Sequence, residues 1–77
     1  MNLEKIGERI KTLRVQYTNL SQEQFGQRLG FDKTYISRIE SGKQNITIET
    51  LIRICEGLGV SLKLFFDFEL EVNTWLD

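Results

Sequence analysis

Histidine and proline are missing from this 77-residue chain, and cysteine occurs once. Without histidine the commonest general base and metal ligand are gone, and one cysteine can close no internal disulfide. No nucleophile–base pair or metal cluster can be assembled from what remains, which excludes most enzymes, all zinc modules and any obvious cofactor site. No apolar run is longer than a few residues, the cluster Leu64, Phe65, Phe66 being typical, so nothing is expected to span a membrane. The chain opens without a charged-then-apolar leader, which fits a cytoplasmic protein.

What is present suits one small domain. Hydrophobic residues make up 40% of the chain, enough for a single core. A chain this short buries only about 60% of its unfolded surface, so a partner subunit would add useful stabilisation. There is no room for both a sensor and an output domain, and no small-molecule effector is expected. The net charge of −1 conceals an imbalance. Residues 1–43 carry eight basic and five acidic side chains, a net of +3, whereas residues 44–77 carry two and six, a net of −4. A basic half can face a polyanion while the acidic end points away; chance fluctuation is the alternative.

The absence of proline favours helices, and the apolar spacing agrees. Leu3, Ile6, Ile10, Leu13 and Tyr17 form one stripe and predict a helix over 3–17. Four later starts share one device: a capping residue, with an apolar neighbour before it that can clamp onto a residue five positions on. Ser21 lies between Leu20 and Phe25, with Gln24 completing a capping box, and Asp32 lies between Phe31 and Ile36. Thr47 lies between Ile46 and Leu51, and Ser61 between Val60 and Phe65. Gly30, Gly42 and Gly59 supply stops. The expected fold class is all-α, with helices over 3–17, 22–29, 33–41, 48–58 and 62–66. The second and third are joined so tightly, from Gly30 to Asp32, that they must cross steeply as a helix-turn-helix.

At 100° per residue, the third helix puts Tyr35, Ile36 and Ile39 on one side. Lys33, Thr34, Ser37, Arg38 and Ser41 fall within an arc of about 140° on the other. The only charges in that arc are positive. Lys33 and Arg38 can donate to guanine O6 and N7, and Thr34 and Ser37 can meet base edges, a thymine methyl or phosphate. An ordinary solvated face is the alternative reading of such an arc.

The run LSQEQFGQRLGFDKTYISRIESGKQNITIETLIRICEGLGVSL resembles the lambda-repressor and Cro-like (XRE-type) DNA-binding domains. Ser21-Gln22, Leu29-Gly30, Ile36-Ser37, Ile39-Glu40, Gly42 and Leu58-Gly59 carry the resemblance, which with the first helix covers residues 3–66. Within that family, DKTYISRIE followed by Asn45-Ile46-Thr47 is most similar to the controller proteins of restriction-modification systems. The resemblance implies a phosphate contact for Gln22 and base readout by Lys33, Thr34 and Arg38, with Tyr35 and Ser37 touching backbone or sugar. It also implies a second phosphate clamp of Lys43, Gln44 and Asn45, and a backbone contact for Arg14. The chain departs from the family pattern twice. The connection from Arg14 to Ser21 is one residue longer than usual, and Gly26 stands where alanine is common, at about 1 kcal/mol of helix propensity.

Cys55 shares a face with Ile48, Leu51, Ile52 and Leu58 and reads as a small buried hydrophobe, redox sensing being the alternative. Gly57-Leu58-Gly59 reads as a helix stop rather than a phosphate loop. Glu40 falls outside the exposed arc and is expected to pair with a nearby arginine. Residues 1–66 are expected to form the DNA-binding domain and 67–77 a C-terminal extension. From Phe66 to Val72 the chain alternates apolar and acidic residues, which is strand periodicity. Such a strand could pair only with a copy of itself across a two-fold axis. A continued fifth helix or a frayed acidic tail are the alternatives, and Trp75 can pack on the domain or on a partner. Leu64, Phe65, Phe66 and Phe68 are the candidate homodimer contacts.

The expected function is a dimeric, sequence-specific regulator of transcription that binds a palindromic double-stranded DNA operator and responds to its own concentration. The competing expectation is an antitoxin, or a phage or plasmid Cro-like repressor, whose tail docks a partner protein.

Overall fold

Ser21, Asp32, Thr47 and Ser61 each accept, on the side chain, a hydrogen bond from the amide three residues on, and each begins a helix. At Ser21 the capping box is complete, the Ser21 amide donating in return to Gln24 Oε1 at 3.0 Å. The apolar residues before these caps, Leu20, Phe31, Ile46 and Val60, pack against the core that contains Phe25, Ile36, Leu51 and Phe65. The computed structural model describes residues 3–70. Their order is α1 (Leu3–Leu13), a π-helical turn (Arg14–Thr18), α2 (Gln22–Leu29), α3 (Lys33–Glu40), α4 (Ile48–Leu58) and α5 (Leu62–Phe65). All five expected helices are present, and no strand occurs among the described residues.

The first helix departs from expectation in its last turn. A π turn carries one residue more than the α geometry it interrupts, so the extra residue between Arg14 and Ser21 is taken up within the helix end. The register shift also turns Tyr17 out of the stripe: it is 47% exposed, while Ile10 and Leu13 are at 1%. Thr18 Oγ1 donates to the Arg14 carbonyl at 2.6 Å and accepts the Leu20 amide at 3.0 Å. Asn19, at φ 55°, then ends the turn in the left-handed region.

The core joins Ile10 and Leu13 of α1, Phe25 and Leu29 of α2, Ile36 and Ile39 of α3, four residues of α4 and Phe65 of α5. Two glycines allow backbones to meet inside it. A Cβ at Gly7 would lie 2.6 Å from the Glu40 carbonyl oxygen, so α1 can approach the end of α3 this closely only without a side chain there. At Gly26 a Cβ would run into the Phe31 carbonyl oxygen, in the turn between α2 and α3. The alanine common at this position in similar domains would therefore force a backbone shift here.

Three arginines tie helix ends together. Arg9 Nε and Nη2 donate to the carbonyls of Phe65 (2.8 Å) and Leu64 (2.7 Å) at the end of α5. Arg28 Nη1 donates to Gly57 O near the end of α4 at 3.1 Å. Arg53 of α4 donates to the Leu29 carbonyl that ends α2 and lies over the Phe31 ring, 4.5 Å from its centroid. Cations at helix C-termini complement the orphan carbonyls and the helix dipole. Cys55 is 3% exposed, and burial pushes its thiol pKa up. It stays protonated within the core, which favours its packing role over redox sensing.

The alternation after α5 has a local explanation. Phe66 to Leu70 form neither strand nor continued helix. Phe66 and Phe68 stack on each other with centroids 6.5 Å apart and planes 12° apart. Both meet Phe65 edge-on, and Arg9 lies over the Phe68 ring. The two-residue period thus keeps two aromatics on one side of an irregular segment. The remainder of the alternating run, Glu71 and Val72, lies outside the described residues, as does Trp75.

Candidate nucleic-acid interface

The turn between α2 and α3 is held from behind. Leu29 ends α2, Gly30 adopts the left-handed conformation, and the Phe31 amide donates to the Gly26 carbonyl at 2.8 Å. Asp32 then caps α3, with Oδ1 accepting the Tyr35 amide at 2.8 Å. Ile36 and Ile39 are buried at 1% and 3%, which fixes the roll of α3 about its axis. Its outer face therefore carries Lys33, Thr34 and Arg38 into solvent, with Ser37 half-buried beside them. Tyr35 is half-buried, its ring edge-on to Phe31 at 4.9 Å. Its neighbour Phe31 is the ring that Arg53 covers, so Tyr35 sits on a supported platform.

At the start of α2, a shallow depression is lined by Arg14, Ser21, Gln22, Glu23, Gln24 and Lys33. Beneath it lies a buried polar network. Glu40, 7% exposed, accepts Arg14 Nε at 2.7 Å through Oε2. Its Oε1 accepts Arg14 Nη2 at 3.1 Å and Gln22 Nε2 at 2.9 Å. Arg14 Nη1 reaches the Leu20 carbonyl at 2.6 Å. One carboxylate thereby joins the end of α1, the start of α2 and the end of α3.

This geometry corrects the expectation for Arg14. At 6% exposure, with its guanidinium bound to Glu40 and to Leu20, it is not available to a phosphate. The arginine partner expected for Glu40 is present, and it is Arg14. Gln22 is held by Glu40 at the first turn of α2, close to Lys33 across the depression. Of the eight basic residues in 1–43, Arg14 is buried and Arg9 and Arg28 are tied to backbone carbonyls, so the charge count overstates what can meet a polyanion.

Lys43, Gln44 and Asn45 follow α3 in the chain. Lys43 and Asn45 are exposed, and Gln44 is half-buried. Arg38 Nε donates to Gln44 Oε1 at 3.3 Å and its Nη2 to the Lys43 carbonyl at 3.1 Å. Nothing in the spacing of residues 38 to 44 announces this tie, because it depends on how the chain turns after α3.

The helix-turn-helix family matches residues 10–65, from within α1 to the end of α5. The chain belongs to that family. Control protein C.MunI of a Mycoplasma species is 44% identical over 68 residues, covering 87% of this chain and 92% of that one. Control protein C.BamHI of Bacillus amyloliquefaciens is 34% identical over 80% of this chain and 76% of that protein. Among solved helix-turn-helix structures, the restriction-modification controller protein C.Esp1396I is similar with a TM-score of 0.78 and 37% identity. The match covers 87% of each chain, and that structure is a tetramer in complex with its natural 35 base-pair operator.

Proposed function

We propose that this protein is a homodimeric, sequence-specific DNA-binding regulator that controls a restriction-modification system from the cytoplasm. The observation that carries the reading is the outer face of α3, exposed, free of negative charge and set by a buried turn, in a chain similar over most of its length to control proteins. Lys33, Thr34, Ser37 and Arg38 are the base readers. Gln22, Tyr35, Lys43 and Asn45 contact the sugar–phosphate backbone, with the α2 N-terminus adding its free amides. DNA is read without enzymatic chemistry.

The dimer contacts are revised by burial. Phe65 is at 0% exposure and belongs to the core. Apolar surface remains at Ile48 and Ile52 on α4 and at Leu62 and Phe66 on α5, exposed at 68%, 41%, 41% and 43%. Leu64 is half-buried, as is Phe68, which stacks on Phe66. A second copy covering this surface would set two α3 helices in successive major grooves about 34 Å apart, roughly 10 base pairs between half-site centres. Phe66→Asp is then expected to shift the protein from dimer to monomer in sedimentation velocity while circular dichroism keeps its helix signal. A dimer constant unchanged by the aspartate would place the interface elsewhere.

The DNA reading is tested with duplexes that the protein selects from a randomised-core library. Arg38→Ala is expected to cost about 1–3 kcal/mol on the selected duplex and to relax preference at one base-pair position. Lys43→Ala is expected to weaken all duplexes alike and to lower the slope of log K against log salt by about 1. Equal selectivity in the first variant, or an unchanged slope in the second, removes that residue from its role. A stable complex with another protein in place of duplex selection would favour the antitoxin reading, which no contact among the described residues supports over this one.

A further inference from the structure

Arg38 carries more donors than any other side chain on the outer face of α3, and the loop after the helix holds it. Its Nε donates to Gln44 Oε1 at 3.3 Å and its Nη2 to the Lys43 carbonyl at 3.1 Å. Gln44 is turned in the required sense by its own Nε2, which donates to the Asn45 carbonyl at 3.3 Å and leaves the amide oxygen for Arg38. The loop is anchored in return, since the Lys43 amide donates to the Arg38 carbonyl at 2.9 Å. Arg38 and Lys43 therefore grip each other through two bonds running in opposite directions.

We infer that Gln44 is a positioning residue for sequence readout, which orients the Arg38 guanidinium toward a base rather than binding phosphate itself. The inference rests on the reading of Arg38 as a base contact. A guanidinium has five N–H donors in a rigid fork. The Nε hydrogen and one Nη2 hydrogen lie along one side of the plane, and the loop takes both. The outer edge, formed by Nη1 and the second Nη2 hydrogen, is the pair that guanine O6 and N7 accept together. An arginine already held in the rotamer it uses on DNA loses less freedom on binding. That gain falls on the matched sequence, where the outer edge finds its base, and not on mismatched ones. A phosphate contact has the opposite signature, because it supports every sequence equally.

The signatures separate in a selection experiment on the full chain. Each variant is incubated with a randomised-core duplex library, the bound fraction is sequenced, and affinity for poly(dA-dT), which has no guanine O6 and N7 pair, is measured over a salt series. Gln44→Ala should weaken base preference about three- to tenfold at the same position that Arg38→Ala weakens. Its poly(dA-dT) affinity, salt slope and melting temperature should match the parent. Gln44→Glu, which keeps an acceptor for Arg38 Nε, should retain the preference while its added charge lowers affinity for all duplexes. Arg38→Ala combined with Gln44→Ala should lose no more preference than Arg38→Ala alone. If Gln44→Ala instead lowers matched and unmatched affinity alike with preference intact, Gln44 is a phosphate ligand and the inference fails while the base-reading role of Arg38 stands. If Arg38→Ala leaves every base preference unchanged, the base-reading role fails, and the inference with it.

Discussion

Glu40→Ala is expected to destabilise the domain by about 3–5 kcal/mol, read as a fall in the urea midpoint. The pair that it breaks is short and enclosed: Arg14 Nε lies 2.7 Å from Glu40 Oε2, with the two side chains 8% and 3% exposed. Removing the carboxylate leaves a guanidinium buried without a counter-charge and frees Gln22 Nε2 from its acceptor. At about 0.05–0.15 kcal/mol per residue, a domain of this length has roughly 4–12 kcal/mol of stability, so the change removes a large share of it. The urea midpoint should therefore fall by about a quarter or more. The converse substitution separates the pair's geometry from its charge. Replacing Arg14 and Glu40 together by methionine and leucine removes both buried ions and should recover much of the loss, since a well-packed apolar pair is often as stable as a buried salt bridge. If Glu40→Ala costs under 1 kcal/mol, water reaches the site and the network does not hold the three helices together.

Phe65→Ala is expected to cost about 3–5 kcal/mol and to abolish the proposed dimer along with it. Phe65 is at 0% exposure, meets Phe66 and Phe68 edge-on at 5.0 and 6.2 Å, and ends a helix of four residues. A single turn cannot sustain itself in water. Its place is set by that one buried ring, by the Ser61 cap and by Arg9 on the carbonyls of Leu64 and Phe65. With the ring gone, a cavity opens beneath α5 and the surface carrying Leu62 and Phe66 loses its support. Thermal melting and sedimentation together distinguish this from Phe66→Asp, which should lose the proposed dimer and, with it, only the concentration-dependent part of the melting temperature. Equal melting temperatures for Phe65→Ala and the parent would contradict the core assignment.

The sequence alone determined where the later helices begin, which residues of α3 face outward, and the helix-turn-helix arrangement. These follow from interactions within a few residues: Ser21 with Gln24, Asp32 with Tyr35, Ile36 with Ile39 on one face. Caps and periodicity are local, so neighbours in the chain suffice to read them. Only the tertiary structure decided which charges are available to DNA and which aromatics to a partner. Arg14 meets Glu40 across 26 positions and Arg9 meets Phe65 across 56, and no spacing rule selects such partners. The π turn is decided the same way, because the extra residue before Ser21 can be accommodated at several places and packing chooses among them. So too with Phe66 and Phe68, whose alternation is compatible with a strand until Phe65 and Arg9 are brought beneath them. A residue's type sets what it can bind; burial beside a distant partner settles what it does bind.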